Sequence, residues 1–293
     1  MGDISVDTAV EPVAGGQGRY TARFSRDWQI WGPNGGYLAS IALRAAEAST
    51  THARPATFSC VFVGTGNFDD PVDIAVEPIR QTRRAEALRV CIGQAGKPLL
   101  EAHVWSVDDD LPGLEHEVVE SPDVPGPDGL KSIEELMTEE NPARFWSNFE
   151  TKPITWIPPE EWPPPEPMEP SVRQWMRFRP RSSFEDQPWV DACRSLILLD
   201  TFQWPAAHRP HVLRGPDEPA YIAPNIDLSA WFHRSAPTSE WLLVDASSPL
   251  ATNGLMAGSA RVWSEDGKLL ASAASHLMCR EVPRGTPGSG TAN

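Results

Sequence analysis

The sequence predicts an α+β fold made of two similar halves, in each of which an antiparallel sheet curls around one buried helix. Each half contains a helix candidate that is apolar nearly all round, the first from Gly35 and the second from about Trp189. Such a helix must be buried on most of its sides. Several strand-like runs follow each helix, and each series ends in a Gly-Lys turn, at Gly96 and at Gly267.

The spacing of these features indicates a duplication. The two Gly-Lys turns lie 171 positions apart (267 − 96), and the strand-like run 57–62 precedes a similar run, 227–232, by 170 positions (227 − 57). Two separate segments that keep nearly one offset indicate an internal repeat. Only the second helix ends its apolar run in a carboxylate, Asp200, and this asymmetry directs the search for function.

In the first half, a strand is predicted at 19–28, a turn at 31–34 and the helix at 35–48. Glycine, proline, aspartate and asparagine flank the strands that follow, as expected at strand boundaries. These strands are predicted at 57–64, 72–81, 86–93 and 98–107.

A connector and an interrupted second half follow. The connector holds an acidic, proline-rich stretch and a short helix at 132–137 that begins with a Ser-x-x-Glu capping pattern. A later run of prolines forbids a central strand and favours an extended surface loop. The second half then continues with a strand at 172–179, the helix at 189–204, and strands at 225–234, 240–248, 255–264 and 269–280.

The predicted organisation has five parts. They are a loose N-terminus at 1–17, a first half at 18–107, a connector at 108–144, a second half at 145–282 with a Pro-rich insertion at about 157–170, and a flexible tail at 283–293.

Composition excludes several classes of function. The 293 residues include 25 basic and 40 acidic side chains, a net charge of −15, which argues against nucleic acid as a partner. The four cysteines include no CxxC pair and no secretory segment is seen, so we expect a reducing, cytoplasmic setting. No apolar run is long enough to span a membrane. His208 and His211 have no nearby cysteine partner, so we predict neither a metal nor a cofactor.

Asp200 is the most informative single position. It lies three and four residues beyond Ile197 and Leu196, so it shares the helical stripe that those residues bury. A buried carboxylate without partners would cost several kcal/mol. A buried Asp200 therefore either has hydrogen-bond partners or has a function, and the alternative is an ordinary helix-end aspartate that reaches solvent beside Thr201 and Pro205.

The strand that begins near Asn225 bears on this choice. Period-two alternation places Asn225, Asp227, Ser229 and Trp231 on one face of the strand. If that face points toward the helix, Asp200 gains polar neighbours. If it points outward, these are solvent-facing positions of an antiparallel sheet, and the sequence leaves the two arrangements open.

Together these segments resemble the acyl-CoA thioesterase II family over nearly the whole chain. The segments are Gly32-Pro33-Asn34-Gly35-Gly36-Tyr37-Leu38, Phe149-Glu150, Trp175-Met176-Arg177, the Leu-Leu-Asp at 198–200, and the stretch from Asn225 to Phe232 and on to Arg280. The resemblance implies a double hotdog fold, with two long helices each wrapped by an antiparallel sheet in one chain. It also implies hydrolysis of acyl-CoA by water attack, and pairing of chains into a homo-oligomer.

The resemblance implies a catalytic set of Asp200, Asn225 and Ser275. The third position departs from the family, which has glutamine there, and serine is shorter. For substrate binding we predict Asp227, Trp231 and the Gly35-Gly36 helix start, whose backbone N–H groups could meet the thioester carbonyl. The alternative for the two glycines is a tight strand-to-helix turn without a role in binding. Candidates for the CoA phosphates, or for an ordinary solvated sheet face, are Arg80, Arg83, Arg84, Arg173, Arg177, Arg179 and Arg181.

Three functions compete. The leading hypothesis is an acyl-CoA thioesterase in which Asp200 assists water attack. The alternative is a non-catalytic acyl-CoA or acyl-chain binding protein with a degenerate site, suggested by Ser275. The third is a hotdog enzyme that acts on acyl thioesters by another reaction, such as a hydratase or a decarboxylase.

Overall fold

A computed structural model describes residues 1–137, 144–161, 163–211 and 220–282. The helices in this range are α1 (Ile4–Asp7), α2 (Gly35–Glu47), α3 (Ile133–Leu136), α4 (Pro188–Thr201) and α5 (Gln203–His208). The strands are β1 (Glu11–Pro12), β2 (Arg19–Ala22), β3 (Arg54–Phe62), β4 (Val72–Gln81), β5 (Ala85–Gln94), β6 (Lys97–Val107), β7 (Phe149–Pro153), β8 (Ser171–Phe178), β9 (Ala220–Ile222), β10 (Asp227–Phe232), β11 (Trp241–Thr252), β12 (Leu255–Ser264), β13 (Leu269–Met278) and β14 (Arg280–Val282).

Twelve of these strands form one antiparallel sheet that runs through both halves. Its order is β1-β2-β4-β5-β6-β3-β10-β13-β12-β11-β8-β7. The order β4-β5-β6-β3 in the first half is repeated in reverse as β10-β13-β12-β11 in the second, as a duplication requires. The two copies meet where β3 pairs with β10, in a register that sets Ser229 opposite Ser59. The predicted α+β class, with a sheet around each of two helices, is confirmed.

The two long helices pack against each other inside the sheet. Gly36 of α2 contacts Asp200 near the end of α4, while Ser40 contacts Cys193 further along, so the helices are antiparallel. Every residue of α4 from Trp189 onward is buried. A β-carbon on Gly36 would lie 2.7 Å from the Cα of Ile197, so glycine lets the two backbones come this close.

The helix predicted at 189–204 is broken in the structure. α4 ends at Thr201 and α5 begins at Gln203, with Phe202 between them in a non-helical conformation. The break lies two residues beyond Asp200.

The N-terminus differs from the predicted loose segment. Residues 4–7 form α1, in which Ile4 is only 1% exposed because its side chain joins the hydrophobic core. Asp3 caps this helix by accepting from the backbone N–H of Ser5, and the N–H of Gly2 donates to Asn148 at 2.8 Å. The predicted tail at 283–293 lies outside the described residues.

The connector covers part of the second half. Val119, Val124 and Leu130 pack on a cluster around Trp175 of β8, and the indole N–H of Trp175 donates to the carbonyl of Pro125 at 2.9 Å. Among the described helices, none is both long and apolar enough to cross a membrane.

Candidate active site

The carboxylate of Asp200 is held between the two halves of the chain. It lies in the last turn of α4 and is 6% exposed. Its Oδ2 accepts the backbone N–H of Gly36 from the first half at 2.6 Å, and its Oδ1 accepts Nδ2 of Asn225 at 2.6 Å. A carboxylate has about four acceptor positions, so two remain after these bonds.

The start of α2 is shaped to receive this carboxylate. A β-carbon on Gly35 would lie 2.9 Å from Oδ2 of Asp200, so any larger residue would push the carboxylate away. Asn34 caps the helix by accepting the N–H of Tyr37 at 2.9 Å and also donates to the hydroxyl of Thr201 at 3.2 Å. The positive end of the α2 dipole therefore faces the negative charge of Asp200.

Asn225 is aimed at Asp200 by an irregularity in the sheet. It forms an isolated bridge with Leu277, whereas further along Ser229 pairs with Ala274. Between these two pairings the strand of Asn225 advances by four residues and its partner by three, so the strand of Asn225 contains one extra residue. Such a bulge changes the direction of the side chains. Asn225 also donates to the backbone carbonyl of Asp200 at 3.0 Å, and its Oδ1 is buried without a partner among the described residues.

This irregularity corrects the expectation that Asn225, Asp227 and Trp231 share one face. Trp231 is 44% exposed on the outer face of the sheet, while its neighbours Ala230 and Phe232 are buried. Asp227 accepts the backbone N–H of His276 at 2.7 Å and lines, with Trp231, an outer groove of about 650 Å³. The structure therefore does not bring these two predicted substrate-binding residues to Asp200.

Ser275 points inward and is paired with a residue that the sequence did not single out. Its hydroxyl, 5% exposed, donates to Oε1 of Gln203 in α5. Asn34 was also missed as a site residue, although its place before Gly35-Gly36 marks a helix N-cap. Gln203 carried one signal, since it lies three residues beyond Asp200 in a largely apolar run.

Burial tunes the acidity of Asp200. Desolvation raises the pKa and outweighs the hydrogen bonds from Asn225 and Gly36, which lower it, so the pKa of Asp200 rises from 3.8 to about 6. Burial, with the nearby charge of Asp200 second, also raises the pKa of Cys60 well above its usual value, so that thiol stays protonated. Asp200 is therefore ionised near pH 7, with a pKa close to the optimum for a general base.

Removing the amide of Asn225 should raise the pKa of Asp200 further. In Asn225→Ala the carboxylate loses the donor at 2.6 Å that favours its charged form. Carboxyl carbon NMR of the Asp200 side chain measures this, and we expect a midpoint clearly above 6. Asn148→Ala, which removes a buried asparagine bonded to Gly2 and Asp27, should leave the midpoint unchanged. A midpoint unchanged in Asn225→Ala would contradict the contact.

The arginines predicted as candidates for the CoA phosphates are largely paired. Four of them lie within ion-pair distance of carboxylates, as Arg173 with Asp245, Arg177 with Glu150 and Glu240, Arg179 with Glu134 and Glu150, and Arg181 with Asp3. In the part of the chain that the structure describes, no three His, Cys, Asp or Glu side chains are grouped so that they could hold a metal ion.

The fold is that of hotdog proteins. Acyl-CoA thioesterase II TesB2 from Mycobacterium marinum superposes with a TM-score of 0.76 at 20% identity, over 97% of this chain and 100% of that one. The tesB protein of Mycobacterium avium subs paratuberculosis gives 0.71 at 22% identity, over 96% and 98%. A hotdog-fold protein of unknown function from Alicyclobacillus acidocaldarius gives 0.72 at 18% identity, over 96% and 98%. This confirms the predicted double hotdog.

Two family models place the chain more narrowly. Residues 24–107 match the acyl-CoA thioesterase N-terminal domain, and residues 119–278 match the acyl-CoA thioesterase C-terminal domain. The chain belongs to the acyl-CoA thioesterase family.

Proposed function

We propose that this protein hydrolyses an acyl-CoA thioester to free acid and CoA, with Asp200 as general base. The observation that carries the proposal is the buried carboxylate of Asp200, held at 2.6 Å by donors from both halves, with a pKa of about 6. Family membership supports the class of substrate.

The reaction needs one proton to be moved and returned. Asp200 takes a proton from a water molecule, and the water oxygen bonds to the thioester carbon. The carbonyl oxygen becomes negative in the tetrahedral intermediate, which collapses as the carbon–sulfur bond breaks. The electron pair leaves with sulfur as a thiolate, and the proton on Asp200 returns to it or to solvent. Fixing Asp200 in advance contributes orientation as well as basicity.

The oxyanion requires a donor other than Gly36, whose N–H is bonded to Asp200. The N–H groups of Tyr37 and Leu38 are bonded to Asn34. That leaves the N–H of Gly35, at the positive end of the α2 dipole, as the donor that we propose for the thioester oxygen. This revises the expectation that both glycines face the substrate: Gly36 holds the base.

Release of CoA tests the function directly. The purified protein is mixed with short, medium, long and aromatic acyl-CoA thioesters, and free thiol is followed with a thiol-reactive dye. We expect turnover with at least one chain class. Binding of acyl-CoA without release of thiol would contradict the enzyme and favour the alternative of a binding protein.

The rate should depend on pH through Asp200. Since the base form is the ionised one, kcat/KM should rise as pH increases through about 6 and level off above it. A pH series at constant ionic strength measures this for any acyl-CoA that turns over. A profile that is flat across this region would exclude Asp200 as the titrating base.

A further inference from the structure

Gln203 is a buried side chain with a fixed direction. It is fully buried, its Nε2 donates to the carbonyl of Leu199 at 2.9 Å, and its Oε1 accepts the hydroxyl of Ser275. A carbonyl oxygen can only accept, so the amide nitrogen must face Leu199 and the amide oxygen must face Ser275. The hydroxyl of Ser275 therefore donates its only hydrogen to Oε1 of Gln203.

The sheet makes room for this carboxamide. Gly258 of β12 is the Cα partner of Ser275 of β13, and both are buried under α5. A β-carbon on Gly258 would clash with Oε1 of Gln203 and would lie 3.0 Å from its Cβ. Only a glycine beside a small residue such as serine leaves the recess that Gln203 fills.

Sequence and strand pairing connect this recess with the Asp200 contact. Asp200 binds Asn225, whose bridge partner is Leu277, and Ser275 lies two residues before Leu277 on the same inward face of β13. Gln203 lies three residues beyond Asp200. The contact of Asp200 with Asn225 lies beside Leu277 of β13, and the contact of Gln203 is with Ser275 of the same strand. The end of α4 and the start of α5 are thus connected to neighbouring inward positions of β13.

We propose that Gln203 is a positioning residue of this site, acting through Ser275; the inference rests on the proposed thioesterase function. Because the hydroxyl of Ser275 donates its hydrogen bond to Gln203, Ser275 Oγ presents only acceptor lone pairs to the site. The attacking water can donate one hydrogen to Asp200 and the other to Ser275 Oγ, which aims an oxygen lone pair at the thioester carbon. Position 275 lacks the glutamine of the family, and the carboxamide of Gln203 in α5 contacts Ser275 instead.

The inference predicts that Gln203 and Ser275 act as one unit in kcat. Gln203→Met keeps the length of the side chain but removes the acceptor, and should reduce kcat by about 10-fold or more with KM changed by less than about 3-fold. Ser275→Ala should have a similar effect. The double variant should lose little more than either single variant, since both remove the same oriented acceptor.

Ser275→Gln should lose activity rather than gain it, because Gln203 already occupies the recess. Exchanging the two, as Gln203→Ser with Ser275→Gln, should recover part of the lost kcat and of the lost thermal stability. Gln94→Met is the matched control: it removes a buried glutamine of β5 that bonds Asn67 and Asp70, and should lower stability without changing kcat.

Thermal unfolding of every variant separates loss of fold from loss of rate. Wild-type kcat in Gln203→Met, or full additivity of the two single losses, would overturn the inference. Loss of turnover in Asp200→Asn alongside that result would leave the proposed function standing. Absence of turnover in the wild-type protein would defeat both.

Discussion

Asp200→Asn should reduce kcat by about 10³-fold with little change in KM, because general base catalysis contributes about 10²- to 10⁴-fold. Asparagine keeps the shape of the side chain and can still accept the N–H of Gly36, which now donates at 2.6 Å. It cannot take a proton from water. Steady-state release of CoA by the two proteins, at equal concentration and at a pH above 7, measures the difference.

The same substitution should change how stability depends on pH. The pKa of Asp200 is raised in the folded protein from 3.8 to about 6, so the stability that its protonated form contributes is fully present below 3.8 and is lost as pH rises through about 6. A shift of this size corresponds to about 3 kcal/mol. As pH rises from 4 to 7, the free energy of unfolding of Asp200→Asn should therefore increase relative to that of the wild type.

Asp227→Asn is the matched control for both measurements. The sequence predicts that Asp227 contacts the substrate, whereas the structure places it on the outer face, where it accepts the N–H of His276. We expect near wild-type kcat. Equal losses in the two variants would mean that Asp200 has no special role.

Gly36→Ala should destabilise the fold, although the same change in an exposed helix stabilises it by about 0.5–1 kcal/mol. The new methyl group would lie 2.7 Å from the Cα of Ile197 and 3.0 Å from the Cβ of Asp200. Because Ile197 Cα is backbone, α2 and α4 must separate. Overpacking of this kind costs about 1–3 kcal/mol, and the bond from the Gly36 N–H to Asp200 should lengthen, so kcat should fall as well.

Chemical denaturation curves and CoA release on the same preparation test both parts. Gly129→Ala provides the comparison, since a β-carbon there would meet no atom within 4 Å. Gly36→Ala with wild-type stability and rate would show that the helices tolerate a wider spacing and that the Asp200 contact is not needed.

The fold followed from features that sequence records directly. The apolar helices are visible as local patterns, and the repeat is visible as a constant offset near 170 positions. The matching strand orders of the two halves agree with that repeat. The contact of Asp200 with Asn225 is what the family resemblance implies, whereas strand alternation alone leaves open whether the face of Asn225 points toward the helix.

Contacts that depend on one irregular residue could not be predicted. Strict alternation puts Asp227 beside Asn225, and one extra residue between the Leu277 and Ala274 pairings turns it outward. Gln203 contacts Ser275 from α5, which follows the break at Phe202, and Gly258 leaves room for it on a strand far away in sequence. No pattern along the chain predicts that Gln203, Ser275 and Gly258 pack together.

The pairing of β3 with β10 has a consequence for any attempt to divide the protein. Cutting the chain between its halves would leave each piece with a long unpaired strand edge, which is a template for aggregation. Each piece would also keep only one side of the Gly36–Asp200 contact. We therefore expect the halves to unfold together in a single thermal transition, and to regain activity only when both fragments are present and refolded as a pair.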